Sequence, residues 1–157
     1  MLLFIAADRN KAMSSGHYGN HVPALALDGI QSTYFYSDYE KYAWLQWYLP
    51  QQSNVYAVKI VNGPSSGTGY LANFEVRSGK KELASNFLGK IEINSLCGTF
   101  PGVAKAREVY TISCNYSITA DYVSVQRMNI GRLQIAELAI ITGSFVTILV
   151  INIHLLF

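Results

Sequence analysis

The sequence predicts an all-β domain, an antiparallel sandwich or barrel, from three observations. Six segments rich in β-branched and aromatic residues recur along the chain, separated by turns that contain Gly, Asn and Ser. No window of 12 residues keeps an apolar stripe at the helical period of 3.6. The 11 tyrosines and 12 glycines are typical of strands and turns. Short strands at this spacing favour a sandwich or a barrel.

The predicted strands follow from the local pattern of each segment. Residues 44–49 (WLQWYL) form an aromatic strand that ends at Pro50, and residues 55–62 (VYAVKIVN) are apolar almost throughout, as in a strand buried on both faces. Residues 73–78 (NFEVRS) alternate between apolar and charged side chains. The other predicted strands are residues 108–114, 121–127 and 133–141, with a loop at 62–69 and a hairpin-like turn at 77–81.

Composition limits the class of protein. Half of the residues are apolar, 14% are charged, and the formal net charge is +2. Disorder is excluded because it requires low hydrophobicity and high charge. Nucleic-acid binding is not indicated, because no basic stripe able to neutralise phosphates is present. The length fits one domain, and no nucleophile, metalloprotease or phosphate-loop motif indicates an enzyme.

The two ends of the chain differ from the middle. Residues 1–8 are largely apolar and are interpreted either as the remnant of a signal peptide or as the start of a first strand. The last formal charge is Glu137, so the tail at residues 143–157 is uncharged. That tail is interpreted as a membrane anchor, an additional strand, or a segment outside the folded unit. Residues 9–142 form the predicted domain.

An aromatic segment precedes and enters the first predicted strand. Eight of the aromatic residues fall within residues 34–48. The tyrosines of its first part, which include Tyr34, Tyr36 and Tyr39, are predicted to lie in a loop. Aromatic loops stack on sugar rings or enter membrane interfaces, because their rings are apolar with a polar tip. The alternative is that this loop packs on the surface of its own domain.

Cysteines and one sequon bear on the compartment. Cys97 and Cys114 have 16 residues between them, which excludes a C-x-x-C redox or zinc motif. They are interpreted as either a disulfide or two buried thiols. Asn115 begins the N-glycosylation sequon Asn115-Tyr116-Ser117. Together these features favour an oxidising, extracellular compartment.

A series of short motifs resembles one known family. These are ALALDG at 24–29, W-x-x-W-x-L at 44–49, VKIVN at 58–62, NFEVR at 73–77, the cysteine pair, DYV-x-V at 121–125 and AEL at 136–138. In this order they resemble the discoidin-like galactose-binding domain, in particular its fucolectin/tachylectin/pentraxin-type branch. The resemblance covers nearly all of residues 9–142. It implies an eight-stranded antiparallel jelly-roll β-sandwich, with a sugar site on the loops at one end.

The resemblance also implies a calcium site and a disulfide. Asp28 and Glu137 fall on the positions of the calcium-binding carboxylates, and Leu25 and Ile30 on positions that offer backbone carbonyls. Cys97 and Cys114 match a disulfide of the family.

The sugar site of the family is not kept. Gly63 and Tyr70 stand where the resemblance implies arginines, and Ser66-Gly67 replaces a pair of adjacent cysteines. Tyr70 and the aromatic loop are therefore predicted to form a different stacking site. The predicted function is a secreted, calcium-stabilised, non-catalytic module that binds a cell-surface glycan or glycoprotein. The alternatives are a membrane-associated module of the discoidin type, or a non-catalytic part of a larger adhesion protein or enzyme.

Overall fold

The computed structural model describes residues 3–5, of which only the backbone is considered, and residues 11–143 of the 157-residue chain. The described residues contain strands and a short 3₁₀ helix, Pro23–Leu27. The strands are β1 Leu3–Ile5, β2 Ala12–Ser14, β3 Phe35–Tyr36, β4 Glu40–Lys41, β5 Trp44–Val61, β6 Ala72–Gly79, β7 Ser95–Val103, β8 Val109–Arg127, β9 Ile130–Gly131, β10 Gln134–Ile135 and β11 Glu137–Gly143.

Two long strands, β5 and β8, run through both layers of the sandwich. Residues 44–48 of β5 pair with residues 122–126 of β8, and residues 53–61 of β5 pair with residues 109–120 of β8. The register breaks between Tyr48 and Ser53, where Pro50 is exposed. Because proline has no N–H for the ladder and an irregular register bends a strand, this point turns both strands from one layer into the other.

Counting each long strand as two gives the predicted architecture. The first layer has the order β2, β5, β8, β6, β7, formed by the N-terminal part of β5 and the C-terminal part of β8. The second layer contains β11 and the other parts of β5 and β8, with β1 added beside β11. All these pairs are antiparallel. Without β1, the two layers contain five and three strands, and the predicted eight-stranded antiparallel β-sandwich is confirmed.

The core lies between the two layers because side chains alternate along each strand. Leu45, Trp47 and Leu49 of β5 are buried in this core, together with Phe74 and Val76 of β6. The opposite face of the first layer is covered by the loop at residues 80–94. There Trp44 packs with Leu83 and Ile91, away from the main core.

Several strand boundaries differ from the predictions. β5 and β8 are each continuous, where two separate strands were predicted in each case. Residues 115–120 were predicted as a turn because of their Asn and Ser, but they belong to β8. Residues 118–120 pair with β5, with Ile118 and Ala120 inward, and residues 115–117 lie at a shift in the register. Conversely, the strand predicted at 133–141 is divided into β10 and β11, which pair with different strands.

The prediction missed β7 and placed a turn wrongly. β7 has the sequence SLCGTFPGV, whose Gly and Pro residues argue against a central strand. Among the described strands it pairs with β6 alone, and an edge strand tolerates proline. Because β6 continues to Gly79 and β7 begins at Ser95, the tight turn predicted at 77–81 is wrong, and residues 80–94 form a long covering loop instead.

A disulfide between Cys97 of β7 and Cys114 of β8 joins the edges of the two layers, as predicted. Gly98 makes this approach feasible, since a β-carbon there would lie 2.7 Å from Ile112 Cγ2 and 3.0 Å from the Ser113 carbonyl oxygen. In the chain-entropy model, closing a loop of this length stabilises the fold by about 3 kcal/mol. Within the described residues, no helix is long and apolar enough to span a membrane.

Candidate functional site

The aromatic segment before β5 belongs to a small sheet at one end of the sandwich. β3 pairs with β10 on one side. On its other side lies the loop at residues 15–22, where the Tyr18 amide donates to the Tyr36 carbonyl at 2.8 Å and the Tyr36 amide donates to the His21 carbonyl at 3.2 Å. These bonds bring a loop and two short strands from distant parts of the sequence to one place.

Alternation along β3 decides which aromatic rings face outward. Phe35 is fully buried in the core. Its neighbours Tyr34 and Tyr36 therefore project to the opposite side, where they are partly exposed and contact other rings. The period of two along a strand thus divides the aromatic run into a core residue and two surface residues.

Six side chains converge here, and we call them the tyrosine–arginine cluster: Tyr18, His21, Tyr34, Tyr36, Tyr70 and Arg132. The rings of Tyr36 and Tyr70 are nearly parallel, at 18°, with centroids 6.1 Å apart. Tyr18 meets Tyr36 edge-on at 6.1 Å, and His21 stacks on Tyr34 at 4.4 Å. The His21 Nδ1 lies 3.0 Å from the Tyr34 carbonyl oxygen, which accepts its hydrogen bond.

Arg132 carries the fixed positive charge of the cluster. Its guanidinium lies 4.6 Å from the ring centroid of Tyr18 and 4.8 Å from that of Tyr36. Nη1 donates to the Ser37 carbonyl at 2.9 Å, and the backbone amide donates to the Gly69 carbonyl at 2.8 Å. Within residues 11–143, Arg132 forms no ion pair with a carboxylate.

Arg127 holds together the two loops that carry Tyr70 and Arg132. Its buried guanidinium donates to the carbonyls of Thr68, Ile130 (3.0 Å) and Asn129 (3.3 Å). The Thr68 carbonyl belongs to the loop at 62–71, and the other two belong to the segment at 128–133, which contains the short strand β9. Burial lowers the pKa of Arg127 from its usual value, since its described partners are carbonyl dipoles rather than an opposite charge.

The electrostatic environment of Tyr36 agrees with this geometry. Burial, and then the neighbouring Tyr70, raise the pKa of the Tyr36 hydroxyl, and the Arg132 charge acts in the opposite direction. Tyr36 is therefore a neutral hydroxyl group at neutral pH, able both to donate and to accept a hydrogen bond.

A second arrangement, a carboxylate pair, lies where the 3₁₀ helix meets β11. Glu137 Oε1 accepts hydrogen bonds from the amides of Gly29 (2.6 Å) and Ile30 (3.0 Å). Asp28 accepts from the Ile30 amide at 2.9 Å and from the Thr33 hydroxyl at 2.6 Å. Burial first, and then the hydrogen bond with Asp28, raise the pKa of Glu137 to about 7, although the Gly29 amide lowers it.

The family follows from comparison with known proteins. The model of the F5/8 type C domain matches residues 10–138. The chain belongs to the F5/8 type C domain family. This confirms the discoidin-like resemblance found in the sequence. A search of curated proteins finds no match for this F5/8 type C domain.

Solved structures share the fold of this F5/8 type C domain. The family 32 CBM of C. perfringens NanJ, in complex with galactose, is 17% identical with a TM-score of 0.67, over 88% of this chain and 99% of that one. A fucolectin from striped bass (Morone saxatilis) serum is 20% identical with a TM-score of 0.72, over 85% of this chain and 45% of that one. The CBM32 of AlyQ, in complex with 4,5-unsaturated mannuronic acid, is 17% identical with a TM-score of 0.65, over 88% of this chain and 97% of that one.

The F5/8 type C domain brings together three of the four tyrosines predicted to bind a ligand. Tyr34, Tyr36 and Tyr70 lie in the tyrosine–arginine cluster. Tyr39 does not: its side chain is 57% exposed and makes no ring contact within the described residues. The segment turns between β3 and β4, so Tyr39 leaves the face that Tyr34 and Tyr36 share.

Sequence reasoning missed Tyr18, His21 and Arg132 as site residues. Tyr18 and His21 lie in a Gly- and Asn-containing loop, and their places depend on backbone bonds to β3. Arg132 is 96 residues from Tyr36 in the sequence, and no local pattern marks it. The aromatic run pointed to Tyr34 and Tyr36, and outside that run the signal was the departure at Tyr70, because an aromatic residue there completes the stack on Tyr36.

The carboxylate pair fits a hard cation only in part. Calcium prefers oxygen ligands, which Asp28 and Glu137 supply, and no lysine or arginine within residues 11–143 forms an ion pair with Glu137. Leu25 lies in the 3₁₀ helix that leads directly to Asp28. The Ile30 carbonyl fits less well, because it already accepts a hydrogen bond from the Thr33 amide at 3.1 Å. The Thr33 hydroxyl, whose single hydrogen Asp28 accepts, also lies 2.8 Å from this carbonyl. No group of three or more His, Cys, Asp or Glu side chains among the described residues is arranged to hold a metal.

Proposed function

We propose that this F5/8 type C domain is a non-catalytic module that binds a cell-surface glycan or glycoprotein at the tyrosine–arginine cluster. The observation that carries the proposal is the convergence of Tyr18, Tyr36, Tyr70 and Arg132 on one loop end of the sandwich. The NanJ module, which has the same fold, was solved in complex with galactose. This supports a sugar as the ligand class.

The chemistry of the cluster suits a sugar ring. The faces of tyrosine rings pack against the C–H groups of a pyranose, and tyrosine hydroxyls exchange hydrogen bonds with its hydroxyl groups. Arg132 adds directional donors at the edge of the stack. A few polar groups on an apolar surface are what gives a small ligand its orientation.

His21 gives no support for a hydrolytic role. Its Nδ1 donates to the Tyr34 carbonyl and its ring stacks on Tyr34, and none of its described side-chain contacts is with a serine, cysteine or carboxylate. A nucleophile requires an adjacent base within hydrogen-bond reach. This geometry favours binding without catalysis.

Calcium is proposed as a stabilising ligand of Asp28 and Glu137, with backbone oxygens from the 3₁₀ helix region, among them Leu25, completing the shell. A bound calcium ion would supply positive charge between two carboxyl groups that otherwise disfavour each other's ionisation. Asp28 and Glu137 connect the loop after the 3₁₀ helix to the start of β11. Holding this connection would fix the chain that leads to β3 and its tyrosines.

An extracellular location is proposed from the disulfide and the sequon. The Cys97–Cys114 bond is typical of oxidising compartments. The side chain of Asn115 is exposed on β8, so an N-linked glycan attached there would not clash with the core. Expression in a mammalian secretory system should give a chain whose mass falls on PNGase F treatment, and Asn115→Gln should remove that change. An unchanged mass for the native chain would contradict glycosylation.

A glycan array, followed by isothermal titration calorimetry with the best sugar, tests the proposed function. We expect binding by the native chain and its loss in Tyr36→Ala and Tyr70→Ala. Tyr39→Ala is the matched control, because it removes an exposed tyrosine outside the cluster. Absence of binding to the whole array, with and without calcium, would refute the proposal.

Membrane association is a second candidate, favoured by exposed apolar side chains near the same loops. Val22, Ile30 and Ile130 are 36%, 50% and 58% exposed, and Tyr18 is 55% exposed. Apolar loop residues with aromatic neighbours can enter a bilayer interface. Co-sedimentation with liposomes should then be lost in Ile30→Ser/Ile130→Ser but kept in a chain that ends at residue 142. Retention of the native chain in the supernatant would remove this candidate.

A further inference from the structure

The charge of the tyrosine–arginine cluster is unbalanced. Arg132 has five N–H donors, and the one that has a described acceptor is on Nη1, which donates to the Ser37 carbonyl. Its guanidinium is partly buried and lies over two tyrosine rings. Within residues 11–143 it has no ion-pair partner. The other N–H groups of the Arg132 guanidinium are thus available to a ligand at the surface of the cluster.

Glu40 of β4 pairs in register with Gly131, next to Arg132, but it forms no ion pair among the described residues, and its Oε1 is buried without a hydrogen-bond partner there. The other acidic residues of the surrounding elements are Asp38, Asp28 and Glu137. Asp38 follows Ser37, but its carboxylate packs against Gly16, on the loop at 15–22. The Asp28 and Glu137 carboxyls are bound to the amides of Gly29 and Ile30. The other members of the cluster are His21 and the tyrosines, whose side chains carry no carboxylate. The cluster therefore has a net positive charge without a fixed negative one.

This charge distribution discriminates between classes of sugar. A neutral sugar presents hydroxyl groups, which need acceptors as well as donors, and an anionic carboxylate or sulfate presents only acceptors. Arginine matches such groups with two parallel hydrogen bonds. The rings of Tyr18 and Tyr36 lie 4.6 and 4.8 Å from the guanidinium carbon and shield part of the group from water, which strengthens its interaction with a charge at its exposed edge.

We propose that the cluster selects acidic glycans, with Arg132 pairing with a carboxylate or sulfate ester on the sugar and the Tyr36–Tyr70 stack packing on its ring. This rests on the proposed function, because it names the ligand class for the same site. The AlyQ module was solved in complex with 4,5-unsaturated mannuronic acid, so a protein with this fold accommodates an acidic sugar.

Calorimetry with four probes tests the inference: trigalacturonate, its methyl ester, a neutral galactan oligosaccharide, and a sulfated galactan oligosaccharide without carboxylate. We expect an acidic probe to bind about 10- to 100-fold more tightly than the ester and the neutral galactan, since a charge-assisted bond contributes on that scale. Preference for trigalacturonate identifies the carboxylate as the anion, and preference for the sulfated galactan identifies the sulfate. The preference should shrink as NaCl rises.

Variants connect the preference to one residue. Arg132→Gln should reduce the affinity for the acidic probe to that for the methyl ester, and Arg132→Lys should keep part of the preference because it keeps the charge. Far-ultraviolet circular dichroism checks that each variant folds. If Arg132→Gln does not fold, then Arg132→Lys and the salt titration decide, and a preference insensitive to salt overturns the inference.

The two levels of the proposal fail differently. If the neutral galactan binds as tightly as the acidic probes, and Tyr70→Ala abolishes that binding, the glycan-binding function stands and the acidic preference is wrong. If no probe and no sugar of the array binds, the proposed function itself fails, and the preference fails with it.

Discussion

The guanidinium of Arg127 lies directly against Gly131, where a β-carbon would come within 2.5 Å of Arg127 Cζ. Gly131 also has a φ of +147°, in the region that favours glycine. The close approach lets the Arg127 guanidinium reach the carbonyls of Thr68 and Ile130 on two different loops. Glycine at position 131 is thus required for Arg127 to hold the two segments in place.

Gly131→Ala should lower the free energy of unfolding by about 2 to 4 kcal/mol, because it adds both backbone strain and a clash with a buried side chain. Gly102→Ala is the control: Gly102 has a φ of +95° but open space around its α-carbon. In that variant the free energy of unfolding should fall only by the cost of the backbone strain, about 1 kcal/mol. Urea denaturation measures both, and equal losses would contradict the role given to the contact.

Arg127→Met should cost about 3 to 5 kcal/mol of stability, since it leaves several buried carbonyls without donors. Arg107→Met is a matched control, because exposed Arg107 donates one bond, to the Gln31 carbonyl at 2.8 Å. We expect it to lose less than about 1 kcal/mol. A stable Arg127→Met variant that still binds sugar would show that the two loops hold their places without the arginine.

Calcium should raise the melting temperature of the native chain relative to chelator. At 100 times its dissociation constant, a ligand adds about 2.7 kcal/mol to stability. Asp28→Asn should abolish the difference, and Asp121→Asn should keep it, because Asp121 interacts only with the exposed Gln52 side chain among the described contacts. If the native chain melts at the same temperature in calcium and in chelator, calcium does not stabilise this domain.

In chelator, the Glu137 carboxyl should make the fold less stable as the pH rises. Its pKa is about 7 in the folded state against 4.5 for the unperturbed group. The folded state therefore holds a proton that the unfolded state has released between these two values, and stability falls as the pH rises from about 4.5 to 7. Relative to Glu137→Gln, the native chain should lose about 1 to 3 kcal/mol over this range. A difference that does not vary with pH would contradict the raised pKa.

Removing the disulfide by Cys97→Ser/Cys114→Ser should cost about 3 kcal/mol, because the unfolded chain regains the entropy of the open loop. The folded double variant should bind sugar as the native chain does, since neither cysteine is a described contact of the tyrosine–arginine cluster. Denaturation and calorimetry on the same sample separate the two effects. Weakened sugar binding by the folded double variant would show that the edge of the sandwich and the cluster are coupled.

Local patterns predicted much of the fold, because the side chains of a strand alternate between two faces and this alternation is visible in the local sequence. The segment WLQWYL alternates between the covering loop and the core, and it was correctly identified as a strand. The edge strand β7 was missed, because an edge tolerates Gly98 and Pro101, which otherwise argue against a strand. Continuity of β5 and β8 was missed too, since a strand that changes layers reverses which residues are buried at the bend.

The site was less predictable than the fold for the same physical reason. Tyr34 and Tyr36 share a face through alternation about Phe35, which local sequence contains. Tyr39 lies beyond a turn, and a composition argument cannot separate it from the others. The place of Arg132 depends on hydrogen bonds to Ser37 and Gly69, contacts between distant segments that only the folded chain creates.

The two strands that belong to both layers have a consequence for how this domain comes apart. Residues 44–48 and 53–61 share one backbone, and so do the two parts of β8, so neither layer can lose its pairing without pulling strands out of the other. The domain should therefore melt in a single cooperative transition, with the binding loops and the disulfide-linked edge losing structure together. A cleavage at the exposed Pro50 bend would separate the two parts of β5 and leave β8 as the long strand that still joins the layers.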